Sequence, residues 1–534
     1  MLLPVLLALA LVQGQDSTAQ VDRIFSFASN TSPGCAVAVD RNGRTLVSKA
    51  YGMANLEYDV PLTPNTIFEA GSVSKQFTAA SVLLLQQDGK LSLEDPIAKY
   101  FPELPDYART ISIRQMLNHT SGLRDWGAVM AVAGWPRGTR TYTHVHVLDI
   151  IAKQKSLNYE PGAEYLYSNS NYNLAAMLVE RVSGMTFSEF TRTRLFQPLG
   201  MNSTSWRDDY NRIVKQRATA YARAGTSWRQ EMPFENVYGN SSLLTTVGDL
   251  TIWNRNFWKP AIGGPEFTVQ METRGVLNDK KTIPYALGLV VDSARGHPRV
   301  SHDGATAGYR ASLVRYPEQG LSVALLCNAS AANPVSLVNQ VSAVFLPAQL
   351  PAVGEAASTA PTTAALPSPE SLRGRVGVYR EVRTGEPMRF AVRDSVIEFG
   401  RAGRIRPVSA SSFEFRAGRV ELTGPNSLRI ILTDGDVFDF VREADWAPSP
   451  AELARYTGTY ASDEAEATFT FEMKNGALTA VDRYGRSVPL VPHYKDGFVS
   501  AQNTIMVFRR DRSGKVNAVS FGLGRVRDLR FHKQ

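Results

Sequence analysis

The sequence predicts an α/β (α+β) domain followed by two small antiparallel β-barrels. Three observations carry that prediction. Residues 20–345 place strand-like alternation near both ends and amphipathic helical runs between. Residues 346–368 then change character: Pro347, Pro351, Pro361 and Pro367 stand among Ala, Thr and Ser, as in an exposed linker. Beyond the linker the chain repeats itself. Leu372, Gly377 and Tyr379 recur as Leu453, Gly458 and Tyr460, each 81 residues later. Short alternating runs such as Arg389-Phe390-Ala391-Val392 and Ser412-Phe413-Glu414-Phe415 fill these units. Strands of that length and spacing close into barrels, one over 369–446 and one over 447–534. One merged barrel or sandwich is the alternative.

The chain opens on an apolar run, Leu2 to Val12, which is too short to span a bilayer and suits a signal peptide. Val12-Gln13-Gly14 and Ser17-Thr18-Ala19 offer small residues for cleavage, although a positive n-region is missing. The expectation is a leader over 1–19 and a periplasmic or secreted protein with no integral membrane segment once the leader is gone. Cys35 to Asp40 and Thr45 to Tyr51 flank Arg41-Asn42-Gly43, a hairpin signal. A helix starts near Ser72, and a short one over Ile111 to Leu117 stops before Gly122. Further helices follow Tyr172, span Ser188 to Leu199 and open at Thr246. Residues 287–328 alternate as strands, and a last helix runs from Asn333 to Phe345.

Composition excludes some classes of function. The 534 residues carry a net charge of +8, yet there is no Lys/Arg block and no basic stripe interleaved with aromatics. No nucleic-acid partner is expected. Cys35 and Cys327 each lie inside an apolar strand run. Two buried thiols is the simple reading, and a disulfide is open to them in an oxidising compartment. Two cysteines make no metal site. His144-Val145-His146 lacks a third ligand at suitable spacing, so neither metal nor cofactor is expected.

The chemistry gathers at Gly71-Ser72-Val73-Ser74-Lys75. On a helix, residues i and i+3 share a face, so Ser72 Oγ and Lys75 Nζ can meet beside the outward N–H groups of the first turn. Ser-x-x-Lys alone is a weak signal, since about two are expected by chance in a chain this long. This one is followed by Tyr167-Ser168-Asn169, Tyr238-Gly239-Asn240 and His302-Asp303-Gly304. The Gly-x-Ser-x-Gly elbow of α/β-hydrolases is absent. His119, at a helix end, reads as structural rather than as a base.

In order, Ser-x-x-Lys, Tyr-x-Asn and His-x-Gly resemble the penicillin-recognising serine hydrolases: class C β-lactamases, D-alanyl-D-alanine carboxypeptidases, D-aminopeptidases and related esterases. Phe68-Glu69-Ala70-Gly71, Leu117-Asn118-His119-Thr120-Ser121-Gly122-Leu123 and Pro198-Leu199-Gly200-Met201 are similar to that group too. The resemblance implies a central antiparallel sheet flanked by helices over 20–345, and the paired barrels are like those of the D-aminopeptidase branch. It makes Ser72 the nucleophile, with Lys75 and Tyr167 sharing the proton work. It makes Asn169 the group that orients Lys75 and the substrate amide. It places the oxyanion between the N–H groups of Ser72 and Ala305, with Gly304 allowing close approach on the edge strand. Tyr238 aligns with a pocket wall that touches substrate. His302 stands where β-lactamases of the group carry lysine, and a histidine is a weaker, pH-dependent cation. That favours a small D-amino-acid peptide or amide as substrate. Carboxylesterase and class C-like β-lactamase activity are the alternatives, and a non-catalytic peptidoglycan or antibiotic sensor is a further one.

Overall fold

The Asn42-Gly43 hairpin forms as expected. Strands β1 (Cys35–Arg41) and β2 (Arg44–Tyr51) pair antiparallel with Arg41 opposite Arg44. Asn42 and Gly43 take the left-handed conformations that a two-residue turn requires, at φ 52° and 83°. The computed structural model describes residues 17–347, 366–393, 396–415, 418–432 and 437–534. The proposed leader up to residue 16 and linker residues 348–365 lie outside them.

Strands β3 (Val290–Ala294), β4 (His297–Thr306), β5 (Tyr309–Tyr316) and β6 (Leu321–Cys327) complete a six-stranded antiparallel sheet. Its order is β3-β4-β5-β6-β1-β2. Alternation sorts the two faces. Val37, Val39, Val323 and Leu325 pack with Leu337, Val338 and Val341 of the helix Pro334–Phe345. Val21 and Phe25 join the same cluster. On the other face, Asn254 of the helix Val247–Arg255 donates to Ser322 Oγ at 2.8 Å.

The same register places Cys35 directly opposite Cys327, and the two form a disulfide rather than two free thiols. Their side chains leave adjacent strands on one face, a relation that only the pairing of β1 with β6 reveals. Replacing both cysteines with alanine is expected to lower stability by about 2–4 kcal/mol, read by urea unfolding of the non-reduced protein. An unchanged midpoint would show that the bond contributes nothing.

The described residues divide into two units. One holds 17–123, 137–152 and 159–347; the other holds 124–136, 153–158 and 366–534. The second unit contains two closed eight-stranded barrels, the first running from Gly377–Glu381 to Val437–Arg442. The second runs from Gly458–Ser462 to Val526–Lys533. The repeat has a physical basis. Tyr379 and Tyr460 are fully buried, and each hydroxyl donates to the carbonyl four residues upstream, on Arg375 and Tyr456. Within this unit Arg124 forms a buried ion pair with Glu464 at 2.6 Å, a contact across 340 residues that no local pattern announces.

Candidate active site

Gly71–Ser74 forms a 3₁₀ turn, and helix α1 (Lys75–Gln87) continues from it. The expected α-helical first turn is therefore tighter. In a 3₁₀ turn, residues three apart eclipse one another, and Lys75 Nζ donates to Ser72 Oγ at 3.2 Å. The two serines of the turn differ in role. Ser74 Oγ donates to Gly71 O at 2.6 Å and accepts from Leu243 N at 3.1 Å. It holds the turn. Ser72 is half-buried, and its hydroxyl faces the lysine.

Lys75 is fully buried. Its Nζ also donates to Asn169 Oδ1 at 3.0 Å and to the backbone carbonyl of Asn240 at 2.8 Å. Asn169 is the first residue of helix α2 (Asn169–Ser183), which fixes its side chain at the helix end. The Tyr167 ring lies 4.6 Å from Lys75 Nζ and 4.2 Å from the His119 ring. His119 accepts from Ser168 N at 3.3 Å, and its own carbonyl accepts from Leu166 N at 3.0 Å. It thus braces both sides of Tyr167, in line with the structural reading.

Strand β4 reaches the Ser72 turn by close backbone approach. A side-chain carbon on Gly304 would stand 2.0 Å from Ala70 O and 3.0 Å from Ser72 N. One on Gly71, at φ 53°, would stand 2.6 Å from Ala305 N. Both glycines are needed for the amides of Ser72 and Ala305 to come together. The edge position expected for Ala305 holds only locally. β4 is second in the sheet, but β3 starts at Val290, opposite Ser301, so residues 302–306 lie beyond the β3 pairing.

His302 is buried, at 6% exposure. Its Nδ1 lies 2.7 Å from the Asp303 carbonyl and its Nε2 lies 2.9 Å from the Tyr285 hydroxyl. A carbonyl can only accept, so Nδ1 carries the proton and Nε2 accepts from Tyr285. Burial, with the nearby Lys75 charge adding to it, pushes the imidazole down to about 3. The expectation of a pH-dependent cation is corrected: His302 is neutral throughout the physiological range, because desolvation outweighs the single carbonyl bond.

Tyr238 does not join the cluster. Its hydroxyl donates to Glu180 Oε1 at 2.8 Å, and its ring stacks on Phe187 with centroids 5.8 Å apart. Glu180 stands eleven residues along α2 from Asn169, about 16 Å by helical rise. The expected substrate contact is corrected to a packing role. The useful atom of Tyr238-Gly239-Asn240 is instead the Asn240 carbonyl on Lys75, which sequence reading missed because it belongs to the backbone. Tyr285 was missed as well, since no motif surrounds it.

A serine, a lysine, two tyrosines and a glycine-bearing strand now share one site, and the family model described as Beta-lactamase matches residues 21–341. The chain belongs to the beta-lactamase family. It is similar to penicillin-binding protein 4* of Bacillus subtilis, 28% identical over 310 residues, covering 55% of this chain and 67% of that protein. It is also similar to the D-aminopeptidase of Gluconobacter oxydans, 26% identical over 532 residues, covering 94% of this chain and 96% of that one. Among solved structures, the penicillin-binding protein homologue from Pyrococcus abyssi matches with a TM-score of 0.54 at 19% identity. That match covers 91% of this chain and all of the other. This beta-lactamase-family chain is a serine hydrolase related to D-aminopeptidases.

Proposed function

We propose that this chain is an exported hydrolase that acts through an acyl-enzyme at Ser72, on small D-amino-acid peptides and amides. The observation that carries the reading is the setting of Lys75 Nζ against Ser72 Oγ, Asn169 Oδ1 and the Asn240 carbonyl. Carbonyl oxygens only accept, so the two contacts to Asn169 and Asn240 persist in either protonation state. The contact with Ser72 reverses: an ammonium donates to Oγ, whereas a neutral amine accepts its proton. Ser72 Oγ then attacks the substrate carbonyl, and the oxyanion rests between the amides of Ser72 and Ala305. The C–N bond breaks, and the departing amine takes the proton from Lys75, directly or by way of Tyr167. Water then hydrolyses the Ser72 ester by the reverse proton path.

Neutral His302 supports the substrate class. It offers no cation to a substrate carboxylate, which favours amides and esters over β-lactams. The end-to-end similarity to a D-aminopeptidase favours the amide. Export is supported by the Leu2 to Val12 run and by the Cys35–Cys327 disulfide, since such bonds are rare in reducing compartments. The test is a panel of D- and L-alanine p-nitroanilide, p-nitrophenyl butyrate and a chromogenic cephalosporin. D-anilide turnover above that of the L form and of the cephalosporin is expected. A cephalosporin turned over best would return the chain to β-lactamase chemistry, and turnover of none would favour the sensor reading.

A further inference from the structure

A cleft of about 630 Å³ opens at the tip of the β4–β5 hairpin, between Ala305–Ala307 and the segment Arg229–Glu235. Its size suits a small ligand group. Three arginines and two glutamates line it, Arg137, Arg229, Arg310, Glu231 and Glu235. Arg137 binds Glu235 through two nitrogens at 2.7–3.0 Å, and Arg229 lies 3.5 Å from Glu231. Arg310 makes no ion pair among the described residues. Its Nη1 donates to the carbonyls of Ala307 at 2.8 Å and Tyr309 at 2.7 Å, which leaves the Nε–Nη2 edge of the guanidinium for another acceptor. The group is half-buried, and burial lowers its pKa, with Glu231 offsetting part of the effect.

Its place relative to Ser72 follows from register. Arg310 is the direct cross-strand partner of Ala305, so their Cα atoms are about 5 Å apart. Residues 302–306 of β4 lie beyond the end of β3, an edge to which an extended substrate can add. Ala307, where Arg310 is anchored, sits in the hairpin turn at φ 44°, two residues past Ala305 and so within about 7 Å of it. The acyl group is the part of a substrate that stays alongside Ala305 once the leaving group departs. A glutamyl side chain carries its carboxylate four bonds from the acyl carbonyl carbon, which suits that span.

We propose that Arg310 is a specificity-determining residue that binds a carboxylate on the acyl residue, so that D-glutamyl amides are preferred over neutral isosteres. This rests on the Ser72 hydrolase reading. The test compares α-linked D-glutamate and D-glutamine p-nitroanilides with the full chain and with Arg310→Gln. The full chain should prefer the D-glutamyl anilide by about tenfold in kcat/KM, the scale of a charge-assisted hydrogen bond. In Arg310→Gln the ratio should fall to about one. No preference in the full chain, or a preference that survives the substitution, overturns the proposal. If neither anilide is turned over, the hydrolase reading fails by itself, and the subsite is then read by calorimetric titration of D-glutamate. Binding that is lost in Arg310→Gln supports it; equal binding, or none to either protein, overturns it.

Discussion

Ser72→Ala is expected to reduce turnover of every substrate by about ten-thousandfold or more while leaving the fold intact. The two halves of that expectation have separate grounds. In the proposed acyl-enzyme mechanism, loss of Oγ removes the atom that forms the acyl bond, and the amides of Ser72 and Ala305 alone retain little of the rate. Stability survives because the turn hangs on its neighbour: Ser74 Oγ bonds Gly71 O and Leu243 N, whereas Ser72 Oγ meets Lys75. Ser74→Ala should therefore show the opposite pattern, a loss of about 1–3 kcal/mol with the Ser72 hydroxyl still present. The check is initial rates and urea unfolding on both variants, with mass spectrometry of the protein trapped with a slow ester. Turnover that persists in Ser72→Ala, or acyl mass found on another residue, sinks the mechanism.

What was legible in the sequence was whatever depends on near neighbours. Ser72 and Lys75 lie within one turn, Tyr167 and Asn169 straddle a helix start, and Asn42-Gly43 needs only its own backbone. The barrels were legible because the chain states the same pattern twice, down to the tyrosine whose hydroxyl closes on a carbonyl four residues earlier. Contacts set by distant chain were not. The Asn240 carbonyl meets Lys75 across 165 residues, and it is a backbone atom with no side-chain signature. Tyr285 meets His302 from a loop 17 residues upstream, with no motif around it. His302 itself was read by residue type, as a weak cation, and its burial reversed that reading. Charge in an interior is decided by solvent access and partners, and neither is written at one position.

Glu69→Ala is expected to cost about 3–5 kcal/mol, the penalty of stranding a buried charge. Glu69 and Arg207 are both almost wholly buried, at 0% and 1% side-chain exposure, and are joined at 2.8 and 3.0 Å. Arg217 stands 3.6 Å away. Arg207 also donates to Ser242 Oγ at 2.9 Å, and so ties the strand before Ser72 to the segment that presents the Asn240 carbonyl. Losing the carboxylate should therefore depress activity as well as stability, through the setting of Lys75. Burial alone would raise the Glu69 pKa, but Arg207, with Arg217 and Arg137, outweighs it and holds the carboxyl below its usual value of 4.5. A lowered folded-state pKa means that its contribution is fully present above that usual value. It is lost as pH falls through the lowered one. Urea unfolding from pH 7 down to pH 3 should show a steeper acid loss in the parent than in Glu69→Ala. Combining Glu69→Leu with Arg207→Met should recover part of the loss, because the most deeply buried charge left by Glu69→Ala is then removed with its partner, although Arg217 still loses its carboxylate. If Glu69→Ala unfolds at the parent's midpoint, or the double variant is worse than the single, the ion pair does not hold the strand before Ser72.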